Sequence, residues 1–157
     1  MAAKDVKFYR LDIKEHRADI QYINNNIRFG DRIELNAMGH TNLYVAIKNG
    51  ASSKDMNFIA FNAIGTPLCI FGLTTIGSEN GRLIWCIGSN DLDKYSREFI
   101  LYSKQIIGKW LETHDLLYNY VSVKNIKSIR WLASVGATFG EPFLINGELF
   151  KLFTIRR

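Results

Sequence analysis

The sequence predicts a mixed α/β (α+β) domain spanning 1–157, with a mostly antiparallel sheet and helices on both of its faces. Three observations carry this. The 157 residues are 47% hydrophobic and 22% charged, which suits one ordinary globular core. Strand-like runs at 57–64, 68–76 and 82–87 follow one another across turn signals, as antiparallel strands do. A helical period over 92–112 then leads to a further strand at 116–123, a crossover that returns the chain to the same sheet.

Residues 6–11 alternate, with Val6, Phe8 and Arg10 on one face and Lys7, Tyr9 and Leu11 on the other, so the chain opens on a strand. Asp12 is placed to cap the helix that follows. Ile13, Ile20, Tyr22 and Ile23 give that helix a weak apolar stripe, which Asn24, Asn25 and Asn26 interrupt. A second helix is expected over 30–38, ended by Gly39. Residues 43–47 form a short apolar run before a polar loop at 48–55.

The central strands are joined by Gly65-Thr66-Pro67 and by the hairpin signal at 78–81. The run Leu83, Ile84, Trp85, Cys86, Ile87 is apolar without alternation, as in a strand covered on both faces. Gly88-Ser89-Asn90-Asp91 ends it and can cap the next helix, whose apolar face is Leu92, Tyr95, Phe99, Tyr102, Ile106 and Trp110. A short helix over 126–135 turns Ile126, Ile129, Leu132 and Ala133 inward and is closed by Gly136. Strands at 139–145 and 148–155 flank Asn146-Gly147, the strongest short hairpin signal in a sequence.

Composition narrows the function classes. The apolar stretch 58–76 is broken by Asn62, Gly65 and Pro67, so it reads as two strands and no membrane span is expected. Residues 1–10 lack the apolar core of a secretion signal. Net charge is +5, but the basic residues are spread along the chain, which reads as solvated surface; nucleic-acid contact is the weaker alternative. Cys69 and Cys86 sit in apolar runs and read as small buried residues in a reduced compartment, with a disulfide or reactive thiol as the alternative. They do not make a zinc site, and no metal is expected.

At the strand–helix unit near residue 120 two resemblances appear. Val123, Asn125, Ser128 and Gly136 resemble the last conserved block of the GNAT acetyltransferases: an Asn after a strand, a small residue three positions on and a Gly eleven positions on. The strings NYVSVKN (119–125), SIRWLASVGATF (128–139) and GELFKLFTI (147–155) resemble the C-terminal half of internal virion protein A, the gene-thirteen product family of short-tailed phages, itself GNAT-like. This likeness is strongest over 119–155, extends back to about residue 64 and is weak before it. It implies a GNAT-like fold and a phage protein made in the host cytoplasm, with association with the virion as the alternative location, that works with other phage structural proteins.

The GNAT resemblance also implies acetyl-CoA, and the residues are weighed against that. Such enzymes seat the pyrophosphate on bare backbone amides at a helix N-terminus, through a glycine-containing motif directly after the central strand. Here no glycine follows Gly88, and Asp91 and Asp93 add negative charge. Were a coenzyme bound, Ile87, Gly88, Ser89, Asn125 and Ser128 are the residues the resemblance sets beside it. The tyrosine expected seven positions after the motif Asn is Leu132, which donates no proton; the adjacent Trp131 is no useful acid, and Tyr118 and Tyr120 read as packing residues.

His16, His40 and His114, with Glu34, Asp55 and Glu79, form no recognisable acid–base pair by spacing. No catalytic residue is assigned, and Asn125 reads first as a helix cap. The expectation is a degenerate acetyltransferase-like fold used for protein contacts, with Tyr9, Tyr44 and Phe153 as candidate contact residues. An acetyl-CoA-dependent N-acetyltransferase with an atypical cradle is the alternative, and DNA contact is a third reading.

Overall fold

A computed structural model describes residues 5–50, 57–74 and 81–157. The N-terminal part forms β1 (Val6–Arg10), α1 (Arg17–Asn25), α2 (Phe29–Ala37) and α3 (Leu43–Gly50). Then come β2 (Asn57–Asn62), β3 (Pro67–Leu73), β4 (Gly81–Gly88), a 3-10 segment (Asn90–Tyr95) and α4 (Ser96–Thr113). The chain continues through β5 (Leu116–Ser122), α5 (Ile126–Ser134), β6 (Thr138–Phe139), β7 (Phe143–Ile145) and β8 (Glu148–Arg156).

The sheet runs β1-β2-β3-β4-β5-β8-β6, with β7 also paired to β8. Its pairs are antiparallel except β4 with β5, which the α4 crossover makes parallel. β3 is buried along its whole length because both faces are covered. On one face Cys69, Phe71 and Leu73 pack with Phe99, Ile107 and Trp110 of α4 and Leu132 of α5. On the other, Ile70 and Ile59 pack with Ile20 and Ile23 of α1, Leu35 of α2, and Leu43 and Ile47 of α3. The mixed sheet with helices on both faces is the architecture expected from sequence.

Local signals hold where the chemistry is short-range. Asn146 and Gly147 take φ of 48° and 84° at the β7–β8 hairpin, and Gly136 closes α5 at φ 96°. Gly39 stops α2, with the His40 N–H returning to the Leu35 carbonyl at 2.8 Å. Cys69 and Cys86 are free thiols on neighbouring strands. Their mutual hydrogen bond, with burial, pushes the Cys86 thiol well above its ordinary value.

Other expectations are corrected. Residues 43–47 belong to a third helix, α3, whose Leu43 and Ile47 meet α1 and the sheet at helical spacing. Asp12 does not cap α1; its carboxylate accepts from the N–H groups of Lys14 and Glu15, in a turn before the helix starts at Arg17. The long helix begins a turn later than expected, since Asn90–Tyr95 is 3-10. The expected strand 139–145 is two pieces, β6 and β7, divided around Pro142, which has no N–H for a ladder. Ile126 and Ala133 of α5 face outward, and Ser128 is buried beside Leu132 instead. Most of the loop 48–55 and of the turn 78–81, with Asp55 and Glu79, lies outside the described residues.

Candidate functional site

β4 and β5 pair only over Gly81–Leu83 and Leu116–Tyr118, then diverge into a fork. Diverging strands leave inward N–H and C=O groups without ladder partners, and a buried N–H left so costs about 1–3 kcal/mol. The chain supplies substitutes. Where the strands part, the Asn119 amide donates to the Ile84 carbonyl at 2.7 Å. Further up, α2 enters between the strand ends and bonds to both of them.

Asp31 of α2 is 1% exposed. Its Oδ2 accepts from the Gly88 N–H at 2.8 Å and from Arg28 Nε at 2.9 Å. Its Oδ1 accepts from Asn125 Nδ2 at 2.9 Å, with the Ser128 hydroxyl at 3.5 Å. One turn on, Glu34 Oε2 accepts from the Ser122 N–H at 3.1 Å and from Asn125 Nδ2 at 2.6 Å. Asn125 thus reaches both acids while its Oδ1 caps α5 through the Ser128 N–H at 3.4 Å.

α2 can come this close because residue 30 is glycine. A Cβ there would lie 2.3 Å from Asn125 Oδ1. The segment before α2 also lines the end of β4. Arg28 N–H donates to the Gly88 carbonyl at 3.0 Å, Asn90 N–H donates to the Asn26 carbonyl at 2.8 Å, and Ile27 bridges Ser89. Both backbone polar groups of Gly88 are therefore bonded within the chain.

The cluster holds one cation and two acids. Burial works against the Arg28 charge, but Asp31 outweighs it and the guanidinium stays above its ordinary value. Burial first, and then the nearby Asp31, push the Glu34 carboxyl up to about 8; its bonds from Asn125 and Ser122 offset only part of this. Glu34 therefore holds its proton to higher pH than an exposed carboxyl does.

Beside the cluster lies a cavity of about 350 Å³ within the fork, bordered by Glu34, Leu35, Trp85, Ile87, Val121 and Leu132 among others. The 3-10 segment at the end of β4 and the Ser89 before it are also tied to other parts of the chain. Ser89 Oγ donates to the Pro67 carbonyl at 3.0 Å. Asp91 accepts from the Tyr22 hydroxyl at 2.7 Å, which holds that phenol above its usual value, and Asp93 pairs with Lys127.

Of the residues the GNAT resemblance set beside a coenzyme, Gly88, Asn125 and Ser128 converge on Asp31. Ile87 borders the cavity, and Ser89 is tied to the start of β3. Glu34, read from sequence as isolated, is half-buried and pairs with the buried Asp31 through Asn125. Arg28 and Asp31 were missed, although their spacing of three, continued by Glu34, is a polar stripe on one helix face. Leu132 is buried at 2%, and Trp131 donates its ring N–H to Ser103 at 2.8 Å. The histidines do not converge: His16 bonds the Asp12 N–H, His114 lies near the Trp110 carbonyl and Thr113, and His40 borders the cavity.

A family model described as "Bacteriophage T7, probable scaffold protein Gp13" matches residues 57–144, from β2 through β7. The chain belongs to this family. It is 35% identical over 103 residues to the probable scaffold protein gp13 of Escherichia phage T7, covering 63% of this chain and 70% of that protein. The gp13 family match begins at residue 57, earlier than the strings that suggested it, and stops before β8.

Solved structures show the fold of this gp13 relative to be that of the GNAT acetyltransferases. A GNAT-family acetyltransferase from Bacillus anthracis superposes with a TM-score of 0.65 at 12% identity, over 99% of this chain and 96% of its own. The spermidine N-acetyltransferase from Vibrio cholerae, solved with CoA and spermine, gives 0.63 at 16% identity, over 96% and 95%. An aminoglycoside acetyltransferase with coenzyme A gives 0.66 at 10% identity, over 98% and 95%.

Proposed function

We propose that the chain, as a single domain over 1–157, serves virion morphogenesis as a protein-binding module that works with other phage structural proteins and does not transfer acetyl groups. The phage T7 relative, a probable scaffold protein, supports the assembly role. The observation that carries the second half is Gly88: its N–H is held by Asp31 and its carbonyl by Arg28, so the end of the central strand is closed by α2 and the segment before it.

Acetyl-CoA fits this arrangement poorly. The bare amides of a phosphate cradle are replaced by a 3-10 segment carrying Asp91 and Asp93. Two like charges about 4 Å apart repel by roughly 1–4 kcal/mol, depending on the local dielectric. Lys127 offsets the Asp93 charge, and Tyr22 gives Asp91 a hydrogen bond but no cation. At the position where the resemblance expects a proton donor, buried Leu132 offers none.

One observation favours the alternative of an N-acetyltransferase with an atypical cradle. Glu34 borders the cavity with its carboxyl pushed up to about 8, the range a general base uses. In that reading Ile87, Gly88, Ser89, Asn125 and Ser128 would line the coenzyme. The closing of the strand end supports the first reading more directly.

The assembly role is tested by mass spectrometry of particles purified at successive stages from infected host cells. The proposal expects the chain in assembling particles at defined stoichiometry, and particle yield to fall when its gene is removed. Normal particles in normal yield without it would remove the role. DNA contact predicts retention that falls steeply with salt, and no retention at low salt would exclude it.

A further inference from the structure

Among the described residues, nothing covers the outer line of α4. The helix turns Phe99, Ser103, Ile107 and Trp110 inward, toward Phe71 of the sheet and Trp131 of α5, and all four are buried. On the opposite side Arg97, Leu101, Lys104 and Gly108 follow one another at helical spacing, so they form a single line, and all four are exposed. Leu101 is 52% exposed in that line. Arg97 and Lys104, with exposed Lys109 on the flank, take part in none of the ion pairs among the described residues. The acids of the helix do not balance them: Glu98 is buried, and Glu112 lies in the last turn. Beside α4, α5 adds exposed Arg130.

Gly108 is the second observation. An interior glycine weakens a helix relative to alanine, and a Cβ at 108 would meet nothing within 4 Å. Packing within the chain therefore gives no reason for a glycine there, whereas bare backbone lets another element come close. We propose that this line docks an acidic amphipathic helix of a phage structural protein. Leu101 is its apolar anchor, Gly108 the point of closest approach, and Arg97, Lys104 and Lys109 face its carboxylates. Charge decides the kind of partner. A second copy of this chain would set cations against cations on this face. Nucleic acid would use the cations but gain little from Leu101 or Gly108, since phosphate contacts need donors. An acidic helix with apolar residues on one face uses the whole line. The inference rests on the reading of the chain as a protein-binding module and names the chemistry of its partner.

The test follows the fluorescence anisotropy of labelled probes on the full chain. The probes are a helical peptide of about 20 residues built from Glu, Ala and Leu with its leucines on one face, the same peptide with alanine for leucine, and a short DNA duplex. The leucine peptide should bind saturably, and about tenfold more weakly to Lys104→Glu and to Leu101→Ala. Gly108→Gln fills the gap without changing charge, and should weaken binding in a chain that melts no lower than wild type. Lys48→Glu makes the same change of charge on α3, across the sheet, and should leave affinity within about twofold. Equal losses in Lys48→Glu and Lys104→Glu, or equal binding of the leucine and alanine peptides, would reduce the effect to net charge and overturn the inference. So would a leucine peptide that fails to bind at millimolar concentration, or DNA that binds more tightly and displaces it. None of these results touches the assembly role, which fails if normal particles form in normal yield without the chain.

Discussion

Asp31 hydrogen-bonds the backbone N–H of Gly88, 57 positions away in sequence, at 2.8 Å. One carboxylate thereby closes the end of β4, anchors Arg28 and holds Asn125 at the start of α5. α2 consequently works as a strut between two strands that have stopped pairing.

If Asp31 is the centre of that strut, Asp31→Asn should be costly. The variant leaves the buried Arg28 charge without its partner and sets an amide NH2 among donors. A loss of about 3–5 kcal/mol is expected, read as a lower urea midpoint at unchanged slope. Lys127→Ala, which breaks the exposed pair with Asp93, should cost less than about 1 kcal/mol. Equal losses in the two variants would show that the strut carries little.

Glu34 fixes a pH dependence. Its carboxyl is raised from 4.5 to about 8 in the folded chain, so between those values the native state holds a proton that the unfolded state has released. The Glu34 contribution is therefore fully present below pH 4.5, falls as pH rises and levels off above about 8. Glu34→Gln removes the titration. The stability difference, wild type minus variant, should decline across that window in denaturation curves taken from pH 4 to 9. A difference independent of pH would mean that Glu34 ionises freely in the fold.

Glycines at two positions should respond with opposite signs. Gly108 lies in the interior of α4 and a Cβ there meets nothing within 4 Å, so Gly108→Ala should stabilise by about 0.5–1 kcal/mol. Gly30→Ala would drive a Cβ into the Asn125 side chain and backbone, and should lower the melting temperature while disrupting the α5 cap. Thermal melts of the two variants check both.

Docking residues can be ranked by exposure. Tyr9 is 50% exposed and Phe153 only 5%, so Phe153 is core and is withdrawn as a contact residue. Tyr44 is half-buried beneath the Arg17 guanidinium, 4.6 Å from the ring centre. Tyr9→Ala should leave the melting temperature within a degree or two and reduce capture of phage structural proteins if that face is used. Phe153→Ala should cost about 3–5 kcal/mol whatever the partner. Undiminished capture by Tyr9→Ala would remove Tyr9 from the interface.

What the sequence made legible was short-range. Asn146-Gly147, Gly136 and the Asn125 cap are fixed by backbone chemistry within a few residues, and each is found where it was read. α3 was hidden because 43–47 is too short to distinguish a helical from a strand period before its contacts with α1 are known. The acid pair was hidden for a related reason: carboxylates three apart on a helix look solvent-facing, and their partners arrive 57 to 94 positions later. Phe153 was misassigned because strand alternation gives two faces without saying which one a helix will cover.

The most direct measurement is a thermal melt of the full chain with and without millimolar acetyl-CoA. With β4 closed by Asp31 and Arg28, the expected result is an unchanged melting temperature. A saturable rise, approaching the roughly 2.7 kcal/mol given by a ligand at one hundred times its dissociation constant, would show that the strand end opens for a coenzyme and would contradict the account.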